Sequence, residues 1–207
     1  MIRCEDLVYG YEKGPQYRAH GVFKEASVTT ITGENGSGKT TFLHALAGIV
    51  PLHSGKIFYG PNDITRKMLE NRGVYLVFAH GNLFPGLTVQ QNLAVAGGGD
   101  MELVHHLLAS YDAENLSVRY PRDLSSGEKQ LISLLRTRLV PHSAILLDEP
   151  LNYLSLDRAR QVRSDLVDLA RHKRKTIIMV SHQLKLGSPD AIEHCVCIDK
   201  LVECLRT

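Results

Sequence analysis

The stretch Gly33-Glu34-Asn35-Gly36-Ser37-Gly38-Lys39-Thr40 fits the pattern GxxxxGK[ST]. Its flanks make it more than a glycine-rich turn. Before it, residues 27–32 are rich in β-branched side chains and are stopped by Gly33, which predicts a buried strand. From Thr41 onward, Phe42, Leu43, Leu46 and Ala47 recur at helical spacing until Gly48 and Pro51 end the segment. A strand, a glycine loop and a helix in that order let successive amide hydrogens converge on phosphate oxygens at a positive helix end. In such a loop Lys39 would pair with β- and γ-phosphates, and Thr40 would give its hydroxyl to Mg²⁺. The competing reading is a chance match, and the strand and helix on either side count against it.

The same texture continues outward. Residues 74–78, 144–147 and 176–180 read as further buried strands, the last entered from a helix with Ala159, Val162, Leu166 and Leu169 on one face. Short strands alternating with helices predict an α/β protein with a largely parallel sheet. The middle differs. From about 80 to 138 the chain carries Pro85-Gly86, the run Gly97-Gly98-Gly99, and helical patterns around 101–110 and 128–139. This predicts a helical insertion between two strands. No repeat at a fixed period marks a solenoid.

Two strand ends carry candidate chemistry. The run 144–147 leads into Asp148-Glu149-Pro150, and carboxylates at the C-terminal edge of a parallel sheet project into the crevice where ligands bind. Asp148 is the candidate Mg²⁺ partner; Glu149 is the candidate general base or orienter of an attacking water. Asp-Glu-Pro also reads as the start of a helix, and the residues alone leave both readings open. The strand 176–180 ends in Ser181-His182, which parallel neighbours would bring to the same edge.

Bulk properties narrow the partners. At 207 residues the chain has room for one core with an insertion. The 24 basic and 22 acidic side chains nearly cancel, which argues against nucleic acid as a partner. Its apolar runs are far shorter than the roughly 18 residues a spanning helix needs, and the charged N-terminus does not resemble a secretory signal. The cysteines Cys4, Cys195, Cys197 and Cys204 lack paired CxxC spacing and suit a reducing compartment. The cations in 172–175 read as the solvated last turn of a helix, and His105 and His106 do not have the i,i+4 spacing of a helical metal pair.

These motifs together resemble the nucleotide-binding subunit of an ATP-binding cassette (ABC) transporter, over nearly the whole chain. The resemblance rests on the phosphate loop, on Leu124-Ser125-Ser126-Gly127-Glu128 in place of the family signature LSGGQ, on Asp148 and Glu149, and on His182 as switch histidine. It implies one domain over 1–207: a P-loop NTPase core with an N-terminal antiparallel β subdomain in 1–79 and 139–207, and a helical insertion in 80–138. It implies ATP and Mg²⁺ as ligands, with Gly33, Glu34, Asn35, Gly36, Ser37, Gly38, Lys39, Thr40 and Thr41 on the nucleotide. Thr40 and Asp148 would serve the metal; Glu149 and His182 would be catalytic. A second anion site at the signature would be redundant in one subunit, so the resemblance implies a head-to-tail homodimer or heterodimer. In it Ser125, Ser126, Gly127 and Glu128 contact ATP in trans. Tyr11 takes the place of the aromatic that stacks on adenine, with Tyr9 as the competing choice and an ordinary strand residue as the bland one. The activity implied is Mg-dependent ATP hydrolysis that drives a membrane permease, from a cytoplasmic position on the inner face of the membrane. A soluble assembly or regulatory switch is the alternative, as is a low-activity subunit paired with an active relative.

Three positions depart from the family pattern. Ala79 stands where the family has a glutamine that touches Mg²⁺, with His80 beside it as a substitute if the loop shifts. Ser126 replaces the first signature glycine, which is tolerated unless that position needs positive φ. Ser155 stands where the loop after the acidic pair usually ends in aspartate, with Asp157 two positions on. Residues 84–93 and the helical insertion are the expected docking surface for a cytoplasmic helix of the partner, and the apolar loop Leu83-Phe84-Pro85 suits that place.

Overall fold

The computed structural model describes residues 1–181, 193–198 and 202–205, and for 193–197 and 202–205 the backbone only. His182 lies outside the described residues, as do the side chains of Cys195, Cys197 and Cys204. In chain order the elements are β1 (Ile2–Gly10), β2 (Gln16–Phe23), β3 (Ser27–Thr32), α1 (Lys39–Ala47), β4 (Leu52–Tyr59), β5 (Asn62–Asp63), β6 (Val74–Val77), α2 (Val89–Ala96), α3 (Met101–Ala109), α4 (Ser126–Leu139), β7 (Ala144–Asp148), α5 (Leu156–His172), β8 (Thr176–Val180), β9 (Glu193–Cys197) and β10 (Val202–Leu205).

Among the described residues the strands form two sheets. One has the order β6-β7-β8-β3-β9, and its described pairings are all parallel. The other, β10-β2-β1-β4-β5, is antiparallel throughout. The fold is thus α/β, a P-loop core with an antiparallel β layer and inserted helices, as the sequence reading expects. β3 and β7 do not touch; β8 lies between them, so the phosphate loop after β3 and the acidic pair after β7 leave the same sheet edge across β8.

β3, β7 and β8 are buried along their whole length, which is why β7 and β8 read as near-continuous apolar runs. Alternate residues divide between two cores. On one face Ile31, Leu76, Leu146 and Ile178 pack with Phe42, Leu43 and Leu46 of α1 and with Ile2, Leu7 and Ile57 of the antiparallel sheet. On the other, Ile145, Leu147, Ile177 and Met179 pack with Leu93 of α2, Val104 of α3, Leu131 of α4 and Val162 of α5. The inserted helices therefore share one apolar core with the sheet.

Three expectations change here. Pro150 does not start a helix; α5 begins at Leu156 with Ser155 at its N-cap, so Asp148 and Glu149 are strand-end groups and not a cap. Lys175 does not belong to a solvated turn. It is buried, its Nζ donates to the Val140 carbonyl at 2.8 Å, and burial depresses its pKa. Tyr9 is not available to a ligand: it is 0% exposed and stacks on Tyr17 at 5.6 Å between centroids. It is an ordinary strand residue of β1, whereas Tyr11 lies just past the strand and is exposed.

Candidate functional site

The phosphate loop leaves β3 at Thr32 and enters α1 at Lys39. Gly38, the N-cap of α1, has φ 88°, a conformation that favours glycine. A Cβ there would also come within 2.7 Å of the Tyr17 ring. No side chain caps α1 and its first turn holds no acidic residue, so its leading amides are left for an anionic ligand. Lys39 is buried, and its Nζ donates to the carbonyls of Gly33 (3.0 Å) and Glu34 (2.6 Å) and to Ser37 Oγ (3.4 Å). The loop thus curls around its own cation. Tyr17, Gly36, Gly38, Lys39, Thr40 and Thr41 line a cleft of about 470 Å³ beside it. Glu34 and Asn35 are exposed at the loop's tip. Tyr17, which the sequence reading did not single out, is a wall of this cleft.

The acidic pair reaches the loop. Thr40 Oγ1 donates to Asp148 Oδ1 at 2.9 Å across 108 positions of chain. Asp148 is buried at the end of β7, and its Oδ2 lies 3.7 Å from Nε2 of His44 on α1. Burial pushes the His44 pKa down, against the smaller upward pull of Asp148. Phe78 packs edge-on against the His44 ring at 5.6 Å. A hydroxyl and a buried carboxylate meeting at hydrogen-bond distance are hard oxygen donors of the kind Mg²⁺ takes, so the residues fit that ion.

Glu149 follows at φ 48°, a left-handed conformation for a residue with a side chain. Its N–H donates to the Val180 carbonyl at 3.1 Å, and its own carbonyl accepts from the Asn152 N–H at 3.4 Å. This turn swings the Glu149 side chain out of the strand's alternation. Strain of that kind, over-determined by its neighbours, clusters at functional sites.

A family model described as ABC transporter matches residues 19–152. The chain belongs to the ABC transporter family. The thiamine import ATP-binding protein ThiQ of Chelativorans sp. (strain BNC1) is 32% identical over 191 residues, 88% of this chain and 77% of that protein. ThiQ of Haemophilus ducreyi is 31% identical over 185 residues, 86% of each. Among solved structures, the bacterial ABC transporter cassette MJ0796, determined as a dimer, matches with a TM-score of 0.81 at 20% identity, over all of both chains. That last likeness concerns the fold.

The stretch 124–128, which resembles the family signature, leads into α4. Ser125 is its N-cap: Ser125 Oγ accepts from the Glu128 N–H at 3.3 Å, and Glu128 Oε2 accepts from the Ser125 N–H at 2.7 Å. These bonds from Ser125 hold the Glu128 carboxyl below its ordinary pKa range. Ser126 is the first helical residue, is exposed and is absent from the positive-φ residues, so the serine causes no strain. Gly127 is different. A Cβ there would meet the Tyr153 carbonyl oxygen at 2.7 Å. Gln130 Nε2 donates to the Pro150 carbonyl at 3.1 Å, so two contacts tie the signature helix to the loop after Glu149. None of 125–128 lines the phosphate-loop cleft of the same chain.

Ala79 is half-buried between two engaged neighbours, Phe78 on His44 and His80 facing Tyr153 at 6.2 Å. The exposed His80 ring is thus directed at the loop after Glu149. Beyond it, buried Asn92 organises the turn into α2: its Oδ1 accepts from the Phe84 N–H, and its Nδ2 reaches the carbonyls of Phe84, Leu87 and Thr88. Phe84 and Val95 remain exposed on this surface.

Proposed function

We propose that the chain is the ATP-binding and ATP-hydrolysing subunit of an ABC importer, working as a head-to-tail dimer that drives a membrane permease. The observation that carries this reading is the Thr40–Asp148 hydrogen bond, which joins the phosphate loop to the acidic strand end, with Glu149 next in sequence. The leading amides of α1 and the Lys39 ammonium would bind the β- and γ-phosphates. Thr40 and Asp148 would hold Mg²⁺, which when bound neutralises charge on the transferred phosphoryl group. Glu149 would take or orient the proton of the attacking water, and His182 would serve beside it. Tyr11, exposed where β1 ends, would stack on adenine. The exposed Ser125 and Ser126, with Gly127 and Glu128, would close over the nucleotide of a second subunit; that MJ0796 is a dimer supports the pairing of two subunits.

The domain division follows the same reading, with core and β layer in 1–79 and 139–207 and the helical insertion in 80–138. The importer assignment follows the names of the ThiQ relatives. No described helix is long and apolar enough to cross a membrane, so a separate permease would supply the path. The exposed Phe84 and Val95 would meet it, holding the subunit on the inner membrane face.

Glu149→Gln removes the base and keeps the shape. Incubated with ATP and Mg²⁺, this variant is expected to elute as a stable dimer on size-exclusion chromatography while hydrolysing little. A nucleotide-bound monomer would refute the composite site. Ala79 favours a second reading, a subunit of low intrinsic turnover paired with an active relative or used as a switch, because a methyl group cannot touch Mg²⁺.

A further inference from the structure

His44 projects from α1 one turn beyond Thr40, so the two side chains share a helix face that looks at the end of β7. They divide the Asp148 carboxylate between them. Thr40 Oγ1 donates to Oδ1 at 2.9 Å; Nε2 of His44 faces Oδ2 at 3.7 Å, beyond hydrogen-bond range. That nitrogen is buried and has no hydrogen-bond partner among the described residues. Leaving a buried donor unbonded is unfavourable, and one water or a small rotation of the carboxylate closes a gap of this size. The Phe78 ring packed on the imidazole keeps it aimed at Asp148.

We infer that His44 is a positioning residue for Asp148. Its Nε2–H donates to Oδ2, directly or through one water, and sets the rotation of the carboxylate that Thr40 and a divalent cation share. Carboxylates that bind metal are themselves held by hydrogen bonds from outer partners, and loss of such a partner weakens metal affinity about 10- to 100-fold. The inference rests on the nucleotide and Mg²⁺ reading of the site.

The test uses Mn²⁺ as the probe. Free Mn²⁺ is measured by electron paramagnetic resonance during titration of the full chain saturated with ADP, and ADP affinity in EDTA is measured by calorimetry. His44→Leu is expected to weaken Mn²⁺ about tenfold, the low end of the outer-partner range, and to leave ADP affinity in EDTA within about twofold. His44→Gln, which offers an amide N–H at similar reach, is expected to recover most of the loss. On an Asp148→Asn background the His44→Leu effect is expected to shrink below about twofold, because the two groups act as one unit. The inference is overturned if His44→Leu binds Mn²⁺ like the wild type, if Gln recovers nothing, if the loss persists on the Asp148→Asn background, or if metal-free ADP binding falls in parallel. A wild-type chain that binds ADP but no Mn²⁺, or binds neither, would overturn the site reading and this inference with it.

Discussion

Glu149 provides a test in which the sign of a difference, and not only its size, is at stake. Its φ of 48° is held by hydrogen bonds through its N–H to Val180 and through its carbonyl to Asn152. For a residue with a Cβ the left-handed conformation costs about 1–2 kcal/mol, a cost glycine does not bear. Glycine instead loses about 0.5–1 kcal/mol relative to alanine through the freedom of its unfolded chain. Glu149→Ala and Glu149→Gly both delete the carboxylate and everything it touches, so their difference isolates the backbone. Taking midpoints, the glycine variant should be the more stable by about 0.75 kcal/mol, the reverse of the usual order. With a urea slope of about 2 kcal/mol per M, its midpoint should lie about 0.4 M above that of the alanine variant. Equilibrium urea unfolding followed by far-UV circular dichroism measures this, with slopes required to match. Both variants should lose ATP turnover, so stability and activity part company at this residue. An alanine variant as stable as the glycine variant, or more so, would refute the claim that the turn after β7 is strained.

Arg72 is buried and its guanidinium donates to the carbonyls of Ala45 and Leu46 at the end of α1 and to those of Thr65 and Lys67, clamping the far end of the phosphate-loop helix. Arg72→Met leaves these acceptors short of partners at about 1–3 kcal/mol for each one that stays buried, offset by the desolvation that lowers the Arg72 pKa. A net loss of about 2–4 kcal/mol in urea unfolding is expected, and a loss under about 1 kcal/mol would show that the clamp is dispensable. Ala79→Gln restores the polar group the family carries between Phe78 and His80. Steady-state phosphate release should rise, and an unchanged rate would remove the low-turnover reading.

What was legible in the sequence is what depends on near neighbours. The pattern GxxxxGK[ST] is complete within eight consecutive residues, and β3, β7 and β8 announce themselves by short β-branched or apolar runs that the fold buries. The helix α2 lies outside the helical patterns around 101–110 and 128–139 although its signal is local: Thr88 and Gln91 form a capping box, in the shadow of Pro85-Gly86. Other residues had no such signal. Tyr17 matters because β2 lays its ring over Gly38, Arg72 because it reaches carbonyls 26 and 27 positions back, and Lys175 because it finds Val140 inside the protein. His44 stands between the two cases. Its i+4 spacing from Thr40 was readable, but only the position of β7 beside α1 puts Asp148 in front of it.

The two central positions of the signature show what this difference means for a motif. As letters, Ser126 and Gly127 are a substituted glycine and a retained one, and the substitution looks like the damage. In the fold, position 126 is an exposed first residue of α4 with an ordinary backbone, where serine fits at no steric cost. Position 127 faces the Tyr153 carbonyl at a distance no real Cβ occupies. The retained glycine is therefore required by packing against the loop after Glu149, before any contact with nucleotide is considered. The tolerance of each motif position is set by what the fold places opposite it, and here that partner lies some 26 residues further along the chain.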